Sequence, residues 1–417
     1  MKISLFFLLF ICSSLTAFSQ TGIEKAPPNF IRTIKFEGGN NEFSGNPILP
    51  LGAIFQLSFD DIIGDEADYY YSIEHFNFDW TPSDLSKNEF MEGFDDVRIT
   101  QYTNAYNTLQ PYTHYELKIP NSNTKGLKVS GNYMLSVFNS NRELVFSRKF
   151  MVYEPIVKVQ AEVKRSRDLR FINEKQVINF SVNSPDLVLI NPEKNVKTLV
   201  MQNNNLKSAI KDLKPQYIIG SELIYKYDQE SAFWGGNEYF QFNDKDLRAT
   251  TADIASVDLL ELYHHYLYPD YTRNDIPYTY NPDINGGFVI RNLQGKNSEI
   301  EAEYVWVHFS LKNNDIIGNS QIHIYGGFNN FEIDNSTLLH YNEETGLYET
   351  ARLFKQGYYN YKYVLVDPDG TIDDGFICGN FDETENLYSI LVYYRSPGAR
   401  YDRLIGVGSA DSRIITN

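Results

Sequence analysis

Apolar and polar residues alternate with a period of two along almost the whole of this chain. The runs include IFQLSFD (54–60), YYYSIEHFNFDW (69–80), HYELKIP (114–120), NYMLSVFN (132–139), LVFSRKFMVYE (144–154), IVKVQAEVKRS (156–166), SELIYKYD (221–228) and EYVWVHFSL (303–311). Successive side chains of a strand point to opposite faces, so each run suits a strand with one buried face. Gly, Pro, Asn and Asp punctuate the runs and supply turns. Short strands at regular spacing predict packed antiparallel sheets. The 31 Tyr and 28 Phe residues agree, because aromatic rings favour a half-buried pleated surface. The expected fold class is all-β, with tandem immunoglobulin-like β-sandwiches.

The first twenty residues, MKISLFFLLFICSSLTAFSQ, have the layout of a cleaved secretory signal. Lys2 precedes an apolar run, and Ala17 and Ser19 are small residues before a cut at Gln20. The run is too short for a stable membrane anchor. Ile11 stands where lipid attachment at Cys12 would require a small residue. The expectation is an exported periplasmic protein with no direct membrane insertion. Only Cys378 would then remain, so no internal disulfide forms and the domains rely on core burial. Breaks in composition divide the chain into 1–19 (signal), 20–154, 155–298, 299–395 and a loosely held tail, 396–417. Within these, LKSAIKDL (206–213) suits a short helix, 253–269 suits strands, and 293–303 reads as a linker. Asp and Glu number 54 against 37 Lys and Arg, with no basic stripe. That balance argues against nucleic acid or an anionic lipid surface as partner.

Motifs with chemical potential are few. His75, Asn77 and Asp79 share one face if 69–80 is a single strand, with Phe76, Phe78 and Trp80 on the opposite, core side. A metal site needs further ligands that no nearby spacing supplies, so the row reads as a polar face satisfying its neighbours. His264 and His265 point to opposite faces, and their spacing to His114 and His308 predicts no common site. There is no nucleophile elbow, and Cys378 lies in GFICGNF without a surrounding motif. DPDGTIDDG (367–375) has acidic residues in a calcium-loop rhythm, but Cys378 falls where a bidentate Glu belongs. It reads as a hairpin turn. The residues predict no enzyme, no cofactor and no metal.

Two resemblances add to this. IHIYGGFNNF and GLYETARLFKQGYYNYKYVLVDPDG resemble the glycogen- and starch-binding β-sandwich family. The match rests on Gly327, Phe328, Asn329, Gly346, Tyr348, Gly357, Tyr361, Lys362, Asp367 and Gly370. It implies an early-set, glycogen-binding-like sandwich for the third domain. Sugar binding in that family uses flat aromatic platforms. Here Phe331 stands at the first Trp position, the residual platform candidate, and Thr371, Ile372 and Asp373 supply no second ring. The departure argues against glycan binding.

The second resemblance spans nearly the whole chain. YYYSIEHFNFDWTPSDL, EFMEGFDDVRITQYTNAYNTLQPYTHYELKIPN, SGNYMLSVF, FWGGNEYFQFNDKDLRATT and DINGGFV, in this order, resemble the type IX secretion system plug protein family of Bacteroidetes. The framework positions include His75, Asp79, Trp80, Gly93, Phe94, Tyr112, His114, Tyr115, Gly236, Asn237 and Glu238. Phe76 departs from the pattern, where the resemblance leads one to expect Cys. The resemblance implies a non-enzymatic periplasmic protein whose partner is the giant outer-membrane translocon barrel, which it closes. The alternative is an exported glycan-binding protein using the third sandwich.

Overall fold

The computed structural model describes residues 22–38 and 46–415; the expected signal at 1–19, with Cys12, lies outside them. Strands dominate, and the few helices are one turn long. They form three two-sheet sandwiches. In the first, one sheet orders Ile31–Gly38, Phe55–Asp61, Thr113–Ile119 and Gln101–Asn104. The facing sheet orders Ile48–Pro50, Leu144–Tyr153, Gly131–Phe138, Tyr70–Phe76 and Val97–Arg98. Leu57, Phe59, Tyr115, Leu135, Phe146 and Phe150 fill the space between them. In FQLSFDD the alternation sends Phe55, Leu57 and Phe59 into this core and leaves Ser58 and Asp60 on the outer face.

The second sandwich does not follow the expected boundaries. One of its sheets pairs Val196–Gln202 with Leu387–Tyr394, which pairs in turn with Arg403–Asp411. The other contains Lys158–Arg165, Lys175–Asn183, Glu222–Tyr225 and Tyr217–Ile219. The expected 155–298 domain is therefore discontinuous, and the expected tail at 396–417 supplies a core strand. Leu404 and Ile405 are fully buried.

The third sandwich is inserted into the second. Its sheets draw on Phe240–Asn243, Ile254–Leu259, Tyr263–Leu267 and Phe288–Ile290, well before the expected start at 299. Gly357–Val366 pairs with Phe240–Asn243 and Phe288–Ile290 along one part and with Gln321–Tyr325 along the rest. The expected linker at 293–303 instead contains the one-turn helix Ser298–Glu301, packed against the first sandwich. Residues 253–269 form strands as the alternation predicts. No helix forms over 206–213: Asp212, at φ +59°, donates its backbone N–H to Thr198 O, and Ile210–Lys211 joins the sheet edge. Sheet pairing overrides a weak helical propensity there. DPDGTIDDG is a hairpin turn, with Gly370 N–H donating to Asp367 O.

Candidate functional site

The first sandwich has part of each outer face covered by one of the other two. Tyr70–Phe76 ends at Phe76, and residues 77–80 turn rather than continue the strand. The polar row expected of His75, Asn77 and Asp79 therefore does not exist. His75 shares the core-facing side with Tyr71 and Ile73, and Phe76 faces outward, the reverse of the expected core side. A second sandwich packs on that outward face. Phe76, Trp80, Met134 and Met151 form one apolar cluster with Leu199, Met201, Leu391 and Leu404. Trp80 sits at φ +63°, and Lys149 Nζ lies 4.3 Å from the centre of its ring. Phe76 thus stands in an interdomain cluster.

A buried polar network borders this cluster. Asp402 Oδ2 accepts from Phe78 N (3.1 Å), and its Oδ1 accepts from Arg395 Nε (2.8 Å). Arg395 Nη2 also donates to Asn77 Oδ1 at 2.7 Å, and Tyr393 OH donates to Asn132 Oδ1 at 2.7 Å. His75 Nδ1 lies 2.8 Å from Ser83 Oγ, and its Nε2 lies 3.2 Å from Ser130 O. Its ring packs edge-on against Tyr401 of the second sandwich. Burial pushes the imidazole down to about 4. Gly131 is required beside it, because a Cβ there would lie 2.4 Å from His75 Nε2.

The opposite sheet meets the third sandwich through ionisable groups. Asp60 and His114 are direct cross-strand partners. Asp60 Oδ1 lies 2.6 Å from His114 Nδ1, and Asp60 Oδ2 accepts from both Lys355 Nζ and Tyr304 OH at 2.6 Å. Lys355 also donates to Glu299 O at 2.6 Å, and Lys35 pairs with Glu299 at 2.6 Å. Tyr112 OH donates to Ala302 O at 2.9 Å, with Lys355 Nζ 4.2 Å from its ring centre. Burial alone would raise Asp60, but Lys355 and His114 outweigh it and hold the carboxyl below its ordinary value. Lys, Asp, His and Tyr together would suit proton-transfer chemistry, yet none of Asp60, Lys355, His114 and Tyr304 is more than 3 % exposed. Their polar atoms are taken up by one another. What the cluster can do is lock two domains together.

A third junction lies where the chain crosses between the second and third sandwiches. Gly236 adopts φ +66°, and its N–H donates to Asn380 Oδ1. Gly236 O accepts from Phe381 N and Thr384 Oγ1. Asn237 Nδ2 donates to Cys378 O, and Glu238 Oε1 accepts from Glu385 N and Tyr278 OH. The Gly236-Asn237-Glu238 motif thus binds the outgoing and returning strands of the insertion together. Asn205 Nδ2 donates to Tyr325 OH, and Lys207 pairs with Glu332 at 2.8 Å, across the same two sandwiches.

The remaining sequence-derived candidates separate. Tyr115 lies in the first core, and its OH donates to Ala67 O. Gly93 ends the strand Met91–Gly93, and the next residue, Phe94, is 59 % exposed. Asp79 Oδ1 accepts from Thr81 N and Oγ1 in an exposed turn. Phe331 is not a sugar platform: it is buried against Tyr325 and Val364. His265 contacts Leu247 O on the buried face, opposite His264 as the alternation requires. His264 and His308, for which spacing predicted no common site, do meet: parallel pairing brings Nδ1 and Nε2 to 2.9 Å. Among the described residues no group of three or more His, Cys, Asp and Glu could hold a metal. No helix among them is long and apolar enough to cross a membrane. Sequence reasoning missed Asp60, Lys355, Arg395 and Asp402. Their one signal was a charge beside aromatic runs, as in LFKQGYY, which does not reveal that another domain covers it.

The family model for the type 9 secretion system plug protein 1st domain matches residues 31–154. That span covers the strands of the first sandwich, from Ile31–Gly38 to Leu144–Tyr153. Among solved structures, a hypothetical protein from Parabacteroides merdae is 32% identical, with a TM-score of 0.88 over 93% of this chain and 98% of that one. No curated protein matches. The chain belongs to the type IX secretion system plug protein family, and its role lies in that secretion system.

Proposed function

We propose that the protein is a non-enzymatic plug that closes the periplasmic mouth of the giant outer-membrane translocon barrel. A wide barrel leaves an aqueous lumen unless something fills it. A filler must keep its shape, whereas domains joined in one chain move relative to each other by default. The observation that carries the reading is that all three sandwiches are fastened pairwise. An apolar cluster around Trp80 joins the first and second, the buried Asp60–Lys355 pair joins the first and third, and the Gly236-Asn237-Glu238 junction joins the second and third. Asp60, His114, Lys355 and Tyr304, which resemble catalytic residues, are spent on one of these contacts. The expected signal at 1–19 supports an exported, periplasmic location.

Deletion supplies the test. Cells lacking this protein are expected to become permeable to large antibiotics that the outer membrane normally excludes. Deleting the barrel as well is expected to return permeability to that of the barrel deletion alone. An intact barrier in the single deletion, with normal barrel levels, refutes the plug reading.

A further inference from the structure

Between the first and third sandwiches lies a cavity of about 80 Å³ whose lining includes Arg32, Arg148 and Arg352. Among the described residues, none of these guanidiniums stands within 4.0 Å of a carboxylate. Arg32 Nε is buried without a hydrogen-bond partner. Arg148 is 7 % exposed and, among the described residues, donates only to the backbone carbonyl of Ser147. Arg352 donates to Ser336 Oγ and lies over the ring of Phe328.

The local backbone is built for this. The Ile31–Gly38 strand shifts register between Arg32 and Lys35 against Phe55–Asp61, with Thr33 at φ +48°. Such bulges re-aim side chains. Thr33 Oγ1 lies 2.7 Å from Tyr304 OH, which ties the bulge to the third sandwich.

Asp334 offsets part of the charge of Arg32 and Arg352, and Glu24 and Glu332 part of that of Arg148, but each acid also has other partners. Glu332 pairs with Lys207, and Asp334 Oδ1 accepts from Ser336 N and Oγ. Burial lowers all three arginines, and the charge of Arg32 pushes Arg352 further, to about 10. Cations taken from water without a counter-charge in contact are costly. In a chain of net charge −17 it is notable that they are gathered here.

We infer that this cleft binds a small multivalent oxyanion, a phosphate group, which completes the charge balance and bridges the first and third sandwiches. Guanidinium forks match phosphate oxygens in geometry and charge. The cavity has room for several waters, and so for one tetrahedral oxyanion. A ligand that binds only the folded protein stabilises it by mass action.

The test is thermal unfolding of the full mature chain in inorganic phosphate against chloride at equal ionic strength. The midpoint is expected to rise by a few degrees with phosphate and to saturate. Arg352→Gln and Arg32→Gln are expected to abolish that rise. Phosphorus NMR line-broadening of phosphate by excess protein reads binding directly, so a variant with altered stability remains informative. Equal midpoints in phosphate and chloride, or equal broadening by wild type and both variants, overturn the inference. Vesicles of phosphatidylcholine with and without phosphatidic acid separate the sources. Arginine-dependent co-sedimentation assigns a lipid phosphate; a response to free phosphate without co-sedimentation assigns the soluble anion. None of these results depends on the barrel.

Discussion

Burial holds the His75 imidazole neutral, with a pKa of about 4 against 6.5 in an open chain. Between those values the unfolded chain binds the proton and the folded chain does not. The stability contributed by neutral His75 is therefore complete above pH 6.5 and is lost as pH falls through 4. The gap corresponds to up to about 3 kcal/mol. Asp244, pushed up by burial to about 7, and Asp270, to about 6, act in the opposite sense. The informative quantity is therefore a difference between proteins. In urea unfolding from pH 7 to pH 4.5, wild type is expected to lose more stability than His75→Asn. Parallel profiles would place the titrating proton elsewhere. A metal ligand or catalytic base would need an accessible ring nitrogen, whereas both His75 nitrogens already face Ser83 and Ser130.

Among the elements, Arg403–Asp411 departs most from what its composition suggests. Gly, Ser and Arg make it resemble a loose tail, yet it pairs along the whole of Leu387–Tyr394. Gly406 and Gly408 are small because the other sheet comes close: a Cβ would lie 2.4 Å from Val157 and 2.6 Å from Val159, respectively. Low hydrophobicity here records tight packing. Ending the chain at Ser396 is expected to expose the edge of Leu387–Tyr394 and remove Leu404 from the Trp80 cluster. The truncated protein should lose cooperative unfolding of the second sandwich and become sensitive to protease between 155 and 235. A truncation that melts at the wild-type midpoint would show the strand to be dispensable.

For the whole molecule, the decisive question is whether three sandwiches behave as one body. The Asp60–Lys355 pair gives a direct measurement, because both side chains are fully buried. Removing one partner leaves the other charge buried alone, so Lys355→Met is expected to cost about 3–5 kcal/mol. The double variant Asp60→Asn, Lys355→Met should cost clearly less than the two single variants added together. Denaturant unfolding measures this, and small-angle scattering asks whether Lys355→Met loosens the third sandwich from the first. Additive costs, with unchanged scattering, would mean that the pair does not couple the domains. Under the plug function proposed above, this coupling bears on function as well as stability.

Strand identity and all-β class were legible in the alternation of runs such as IFQLSFD and NYMLSVFN, because pleating is a local property. The plug family was legible in ordered motifs such as YYYSIEHFNFDWTPSDL and SGNYMLSVF, both of which lie inside residues 31–154, the span that the first-domain model matches. Alternation does not say which of a strand's two faces is covered, or by what. Alternation therefore puts Phe76 and His75 on the wrong sides, and Asp60 and Lys355 carry no visible sign of their meeting across 295 positions. The boundary at 154 coincides with the end of the matched first domain, but those after it failed for the same reason: Val196–Gln202 chooses Leu387–Tyr394 as partner across the whole inserted sandwich. Side-chain periodicity is fixed by neighbours in the chain, but pairing and burial are decided by surfaces that exist only once the chain has folded.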